Sequence, residues 1–204
     1  MKKCNAKLFL VTLIFNVMIC TTATAQVKFG LQAGVNFGRD FYPISFPGNN
    51  AKKIYGLSAN PLVLASVRFG KKDYKFINEL GYSMQRVAFL QSSLGDVFKL
   101  PRNGLLLKSQ LEYRVVPNTG ITLGAYGNFV RYQNTRVASF LKPGQYYGYT
   151  IGVNQYFKKV FLQLAYQRSL WSNDKVSFTD DDGNVIETYT SLSRHLQLSV
   201  GYLF

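Results

Sequence analysis

From Val27 onward, apolar residues alternate with polar or small ones in eight stretches, the pattern of strands that bury or shield one face. The first covers residues 27–38: Val27, Phe29, Leu31, Ala33, Val35 and Phe37 share one face, with Lys28, Gln32, Asn36 and glycines on the other. The second covers about 55–69, with Val63, Ala65, Val67 and Phe69 apolar. In the third, about 74–86, Tyr74, Phe76, Leu80, Tyr82 and Met84 oppose Lys75, Glu79, Ser83 and Gln85. In the fourth, Leu105, Leu107, Leu111, Tyr113 and Val115 oppose Lys108, Gln110, Glu112 and Arg114. Residues 121–129, 147–157, 160–169 and 195–204 repeat the alternation. Each stretch approaches the roughly 9–11 residues that a tilted membrane strand needs.

The connections sort by parity. Those at 70–73, 117–120 and 158–159 are tight, whereas 39–54, 87–103, 131–145 and 172–190 are long. Short turns on one side and long loops on the other are the signature of an up-and-down barrel in an outer membrane, with both termini on the periplasmic side. Alternation alone leaves open which face is wet, because a secreted ligand-binding barrel has the same period with its apolar face inward. Three features favour a membrane: aromatics gather near strand ends, the polar face mixes Gly, Ser, Asn and Gln with charges that suit a filled lumen, and the chain stops at an aromatic residue. The expected fold is therefore all-β, an eight-stranded antiparallel transmembrane barrel with a filled polar lumen. Asn78 and Ser109 interrupt the apolar face, and one-residue register shifts would remove them. Pro61 lacks a ladder donor and a closed barrel has no edge, so it belongs at the outer end of its strand or at a bulge.

The first 25 residues have a separate logic. Lys2, Lys3 and Lys7 precede an apolar run from Leu8 to Ile19, and Ala23 and Ala25 frame a cleavage site before Gln26. This is the layout of a signal peptide, with an apolar run too short for a permanent helical anchor. Acylation at Cys20 is the competing reading, disfavoured by the bulky Ile19 before it. The expected division is a signal peptide over 1–25 and one barrel domain over 26–204. Cleavage removes both cysteines, Cys4 and Cys20, and takes the formal charge from +14 to +11. A basic exported chain suits a phosphate-rich membrane surface, and nucleic acid is not an expected partner.

Leu196, Leu198, Val200, Tyr202 and Phe204 resemble the C-terminal signal read by the outer-membrane barrel assembly machinery, a final Phe preceded by apolar residues at alternate positions. Phe29-Gly30 with Gly34 and Gly38, and the run Glu79-Leu80-Gly81-Tyr82-Ser83, resemble the small outer-membrane barrel family of Bacteroidetes that includes PorT-like proteins. That resemblance implies an accessory barrel in an outer-membrane secretion or transport assembly, with partner subunits. The family's proline-containing apolar strand often follows the Glu-Leu-x-Tyr strand, whereas Asn60-Pro61-Leu62 precedes it here.

Eight strands leave room only for side chains. Lys28, Arg68, Lys75, Glu79, Lys108, Glu112 and Arg114 share inward parity, and buried charges need partners, so they are expected to form a paired network that plugs the lumen. On the lipid-facing stripe, Arg39, Arg86, Arg131 and Arg168 end the outward-running strands, and Arg194 begins the last descending one. Guanidinium groups at that depth suit a ring of lipopolysaccharide phosphate contacts. His195, the one histidine, lies two residues from Ser193. No carboxylate that would orient it can be identified, so an interior structural histidine is preferred to a lipid-modifying base. Asp180, Asp181, Asp182, Gly183 and Asn184 look superficially like a calcium loop but lack its downstream bidentate Glu. With Val176, Phe178, Val185 and Tyr189 flanking them, they read as the turn of a hairpin extending above the membrane. No metal-ligand cluster, nucleotide loop or cofactor motif is apparent. The expectation is a non-enzymatic envelope barrel.

Overall fold

The computed structural model describes residues 26–41, 58–71, 73–90, 97–132, 144–173, 175–179, 185–190 and 192–204. Its strands are β1 (Lys28–Phe41), β2 (Ser58–Gly70), β3 (Tyr74–Leu90), β4 (Val97–Val116), β5 (Thr119–Tyr132), β6 (Gly144–Phe157), β7 (Val160–Ser172), β8 (Lys175–Thr179), β9 (Val185–Thr190) and β10 (Leu192–Leu203). Consecutive strands β1 to β7 pair antiparallel, and β10 closes the barrel between β7 and β1. The eight alternating stretches are the eight barrel strands. β8 and β9 form the expected hairpin as a separate two-stranded sheet. Its turn at 180–184, and the segment 1–25 with Ala23 and Ala25, lie outside the described residues.

One row of paired residues fixes the barrel's size. It runs from Gly38 through His195, Gln167, Thr150, Gly124, Gln110, Ile77 and Arg68, and returns to β1 at Lys28, ten residues from its start. A stagger of ten over eight strands gives a tilt of about 40° and a radius of about 8 Å. Such a lumen holds side chains and no open pore.

The faces are inverted relative to a water-soluble barrel. Leu31, Val63, Leu80, Leu105, Leu123, Ile151, Leu164 and Val200 are exposed, while Gln32, Ser66, Glu79, Lys108, Gln110, Gln163 and Gln197 are buried. Exposed apolar area of this extent costs too much in water and little in lipid, and the closed ladder leaves no edge. Aromatic pairs mark both margins: Phe69–Phe76 at 5.6 Å and Tyr74–Tyr113 at 5.2 Å at the turn end, Tyr147–Trp171 at 5.5 Å at the loop end. A bulge at Tyr147/Gly148 turns both Leu170 and Trp171 outward before Ser172 re-enters the lumen.

Three expectations need correction. The long 87–103 connection is mostly strand, since β3 and β4 stay paired from Tyr74↔Tyr113 to Leu90↔Val97. Proline and glycine at 101 and 104 read locally as loop, but the partner strand holds both in the ladder. Likewise, β5 reaches Tyr132 and β6 begins at Gly144, inside the expected 131–145 connection. Finally, Asn78 and Ser109 are no register error: they face each other across the β3–β4 ladder on the outward face. Pro61 behaves as its chemistry demands. It pairs with Val35, whereas the β2–β3 ladder starts one residue later at Leu62↔Ser83, so no β3 carbonyl is paired to it.

Candidate functional site

The middle of the lumen is closed by a hydrogen-bonded ring drawn from four strands. Glu79 and Lys108 are cross-strand neighbours, 3.1 Å apart and without side-chain exposure. Gln32 donates to Glu79 Oε1 at 2.7 Å and Gln110 to Oε2 at 3.0 Å. Lys108 donates to Gln197 Oε1 at 2.5 Å, Gln197 Nε2 donates to Ser199 Oγ at 3.1 Å, and Ser199 donates to Gln32 Oε1 at 3.3 Å. The circuit Gln32–Glu79–Lys108–Gln197–Ser199 thus closes on itself. Gln163 and Gln167 brace Gln197 from the β7 side. Glutamine suits this layer because its amide both donates and accepts.

Two further layers seal the ends. Toward the loops, Leu62, Leu64, Leu106 and Tyr126 pack together. Above them Arg102, 1% exposed, donates to Gln85 Oε1 at 2.9 Å and to the Tyr146 hydroxyl at 2.8 Å. The sequence reading missed Arg102 because it placed 87–103 in a loop, although 102 shares the parity of Lys108 and Gln110. At the turn end, Tyr156, Phe161 and Leu203 form an apolar floor. Glu112, Lys75, Arg68, Arg114 and Tyr156 gather beside it.

The expected single charge network is therefore two clusters, Glu79 with Lys108 and Glu112 with Lys75. Lys28 belongs to neither. It is exposed at the start of β1 and makes no ion pair or hydrogen bond to a described side chain. The strand has only begun there, and the lysine stem reaches water.

The loop-end arginines are not spread evenly around the barrel. Arg39 is directly opposite Arg194, which is directly opposite Arg168. Three cations thus occupy one row across β1, β10 and β7, with Tyr149 next in line on β6. Arg131 sits across from Asn103, and Arg86 across from Pro101. Arg131, Arg168 and Arg194 are exposed; the side chains of Arg39 and Arg86 lie outside the described residues. Ten residues separate Phe204 from Arg194 along the last strand, about 33 Å of strand and about 25 Å along the barrel axis. That is about the height of an outer-membrane apolar band, so the row and Phe204 lie near opposite margins of it. Leu196, Leu198, Val200, Tyr202 and Phe204 form the outward stripe between those limits.

His195 and Ser193 are both buried in the lumen wall. The Ser193 hydroxyl lies 3.2 Å from the Tyr126 hydroxyl, and Ser169 Oγ accepts from the Ser193 backbone N–H at 2.6 Å. His195 packs over Gly38, where even a Cβ would collide with the ring. This is an interior packing arrangement.

Such an arrangement defines a class: a small transmembrane β-barrel with an occluded lumen and a cationic loop-end margin. No protein-family model matches the chain, and no curated protein matches it in sequence. Solved structures share its fold. Neisserial surface protein A is similar at 13% identity and a TM-score of 0.52, over 89% of this chain and 100% of that one. The outer membrane protein AlkL, determined in DMPC bilayers, is similar at 14% identity and a TM-score of 0.53, over 88% of this chain and 90% of that one.

Proposed function

We propose that this chain is an exported, non-enzymatic outer-membrane barrel that binds lipopolysaccharide phosphates at its loop-end arginine row. In this reading residues 1–25 are removed, the barrel machinery recognises the Leu196–Phe204 stripe, the long loops face outward, and both termini are periplasmic. The observation that carries it is the row Arg39–Arg194–Arg168. Arg168 and Arg194 are exposed and directly opposite in register, a spacing at which two guanidiniums can take one phosphate in bidentate, charge-assisted contacts. The location at the upper margin of the apolar band is where glycolipid phosphates lie. Arg86 and Arg131 extend the basic margin to β3 and β5 but have no arginine neighbour in register.

The test is retention of lipopolysaccharide through purification. Replacing Arg168 and Arg194 with Gln should lower the bound glycolipid more than replacing Arg86 and Arg131. Equal retention in wild type and both variants would sink the proposal. A second reading, the PorT-like accessory barrel, is favoured by the long β3–β4 ladder and the separate β8–β9 hairpin. Both present ordered sheet to a partner beyond the apolar band. Under that reading, mild-detergent pull-down brings a defined set of envelope subunits with it, and deleting residues 175–190 releases them.

A further inference from the structure

At the turn end of the lumen, cations outnumber carboxylates. Arg68, Lys75 and Arg114 have inward parity there against the buried carboxylate of Glu112, and exposed Lys28 and Asp73 lie at the rim. Glu112 is already engaged. Its Oε2 accepts from Asn154 Nδ2 and from the Tyr156 hydroxyl, each at 2.5 Å, and its Oε1 faces Lys75 Nζ at 3.6 Å.

Arg68 is 2% exposed. Its guanidinium carbon lies 3.9 Å from the Phe161 ring centroid, and Nη1 donates to the Tyr156 hydroxyl at 2.6 Å. Its Nε and Nη2, and Nε of Arg114, find no acceptor among the described residues. Arg114 and Lys75 approach the same Tyr156 ring, at 5.6 Å and 4.8 Å from its centroid. Undirected N–H groups from two guanidiniums therefore gather with an ammonium around one phenol. Buried donors without acceptors are costly, and the contact with the Phe161 ring, 3.9 Å from the guanidinium carbon, holds the Arg68 head in place.

We propose that this mouth of the lumen binds a tetrahedral oxyanion, inorganic phosphate or a phosphomonoester, among Arg68, Lys75 and Arg114, with Lys28 at the entrance. Phosphate is favoured over a carboxylate by charge. Arg68, Lys75 and Arg114 against Glu112 leave an excess of two positive charges, with exposed Lys28 offset by exposed Asp73. A dianion neutralises that excess better than a monoanion, and its oxygens match the fork geometry of guanidinium donors. The Glu79–Lys108 ring and the apolar floor close the lumen behind the site, so the ligand docks and does not pass through. This site is separate from the loop-end row and does not depend on the function proposed there.

The experiment is calorimetric titration of the folded full-length barrel with inorganic phosphate in phosphate-free octyl glucoside, with chloride as the control anion. Saturable binding is expected for phosphate and not for chloride. Arg68→Gln and Arg114→Gln should each weaken it by about tenfold or more, as loss of a charge-assisted pair implies. Lys159→Gln, which removes a cation at the same end but over the outward Tyr202 ring, should bind as wild type does. Arg68 is buried, so heat-modifiable gel mobility checks folding of every variant. The partly exposed Lys75→Gln and Arg114→Gln keep the test decisive if Arg68→Gln fails to fold. Repeating the titration with micellar phosphatidic acid present names the source: competition points to a lipid headgroup, and its absence to a soluble phosphate. Absence of saturable phosphate binding, or equal affinity in wild type, Lys75→Gln and Arg114→Gln, overturns the proposal.

Discussion

Replacing Lys108 with methionine tests whether buried ionic contacts hold the lumen shut. Methionine keeps most of the volume and removes the charge. Glu79 then stays in the wall with the amides of Gln32 at 2.7 Å and Gln110 at 3.0 Å as its remaining donors. Breaking a buried pair by removing one partner costs about 3–5 kcal/mol. Two surviving charge-assisted bonds, about 1.5–3 kcal/mol each, keep the loss near 3 kcal/mol, the low end of that range. Gln197 Oε1 also loses a donor but retains Gln167 Nε2 at 2.6 Å, so that side adds little. Converting Glu79 to Gln in the same chain removes the stranded charge, and the double variant should recover to within about 1–2 kcal/mol of wild type. The assay is urea unfolding in phospholipid vesicles, followed by Trp171 fluorescence and by gel mobility. A Lys108→Met cost below about 1 kcal/mol, or strictly additive single and double variants, would refute the reasoning.

The remaining predictions concern the wall and its turns. Lys158 occupies a positive-φ position, φ 57°, in the two-residue β6–β7 turn; Lys158→Gly should stabilise the barrel by about 0.5–1 kcal/mol in the same unfolding assay. Gly38→Val should destabilise by about 1–3 kcal/mol through collision with His195 and the Arg194 carbonyl, and the His195 NMR resonances should shift with it. Asn78 is outward, and its Oδ1 is buried without a described hydrogen-bond partner. Asn78→Leu should therefore raise stability by about 1 kcal/mol in bilayers, and unchanged stability would count against its lipid-facing assignment. In planar bilayers the wild-type barrel should show no sustained ion conductance, and steps of a water-filled pore would contradict the closed ring.

Period two was enough to find the eight strands, because the outward face is almost uniformly apolar and the turns are chemically distinct. It was less able to find where strands stop. Beyond Arg86 and before Asn103 the alternation is irregular, and only pairing between β3 and β4 reveals that both continue. The same limit hid Arg102. Lumen chemistry was legible as parity, which correctly turned Glu79, Lys108, Glu112 and Arg68 inward. Parity does not place a residue along the axis, so it could not divide the charges into two clusters or detach Lys28. Inward apolar residues such as Leu62, Leu64 and Phe161 were obscured for the opposite reason. A rule that sends apolar side chains to lipid has no means of seeing those that fill the ends of a narrow lumen. The arginines were visible one strand at a time, but Arg39, Arg194 and Arg168 become one row only through the closing β1–β10 and β10–β7 registers. The β1–β10 register brings together residues more than 150 positions apart.

The small radius bears on function through what it excludes. A stagger of ten residues over eight strands leaves a narrow lumen crossed by the Gln32–Glu79–Lys108–Gln197–Ser199 circuit. A ligand cannot cross without breaking a buried ion pair and several amide bonds together, at a cost comparable to the stability of the fold itself. Chemistry available to this barrel is therefore confined to its two margins and its loops. Both margins are cationic, but by different constructions. The proposed loop-end row lies on the outer surface, where Arg168 and Arg194 are exposed. The turn-end cluster lies inside the wall, where Phe161 and Tyr156 hold the cations in place. A surface row exchanges with any anionic lipid that diffuses past, whereas an interior cluster selects by size. Raising ionic strength should accordingly weaken glycolipid retention at the row more steeply than phosphate binding at the buried cluster.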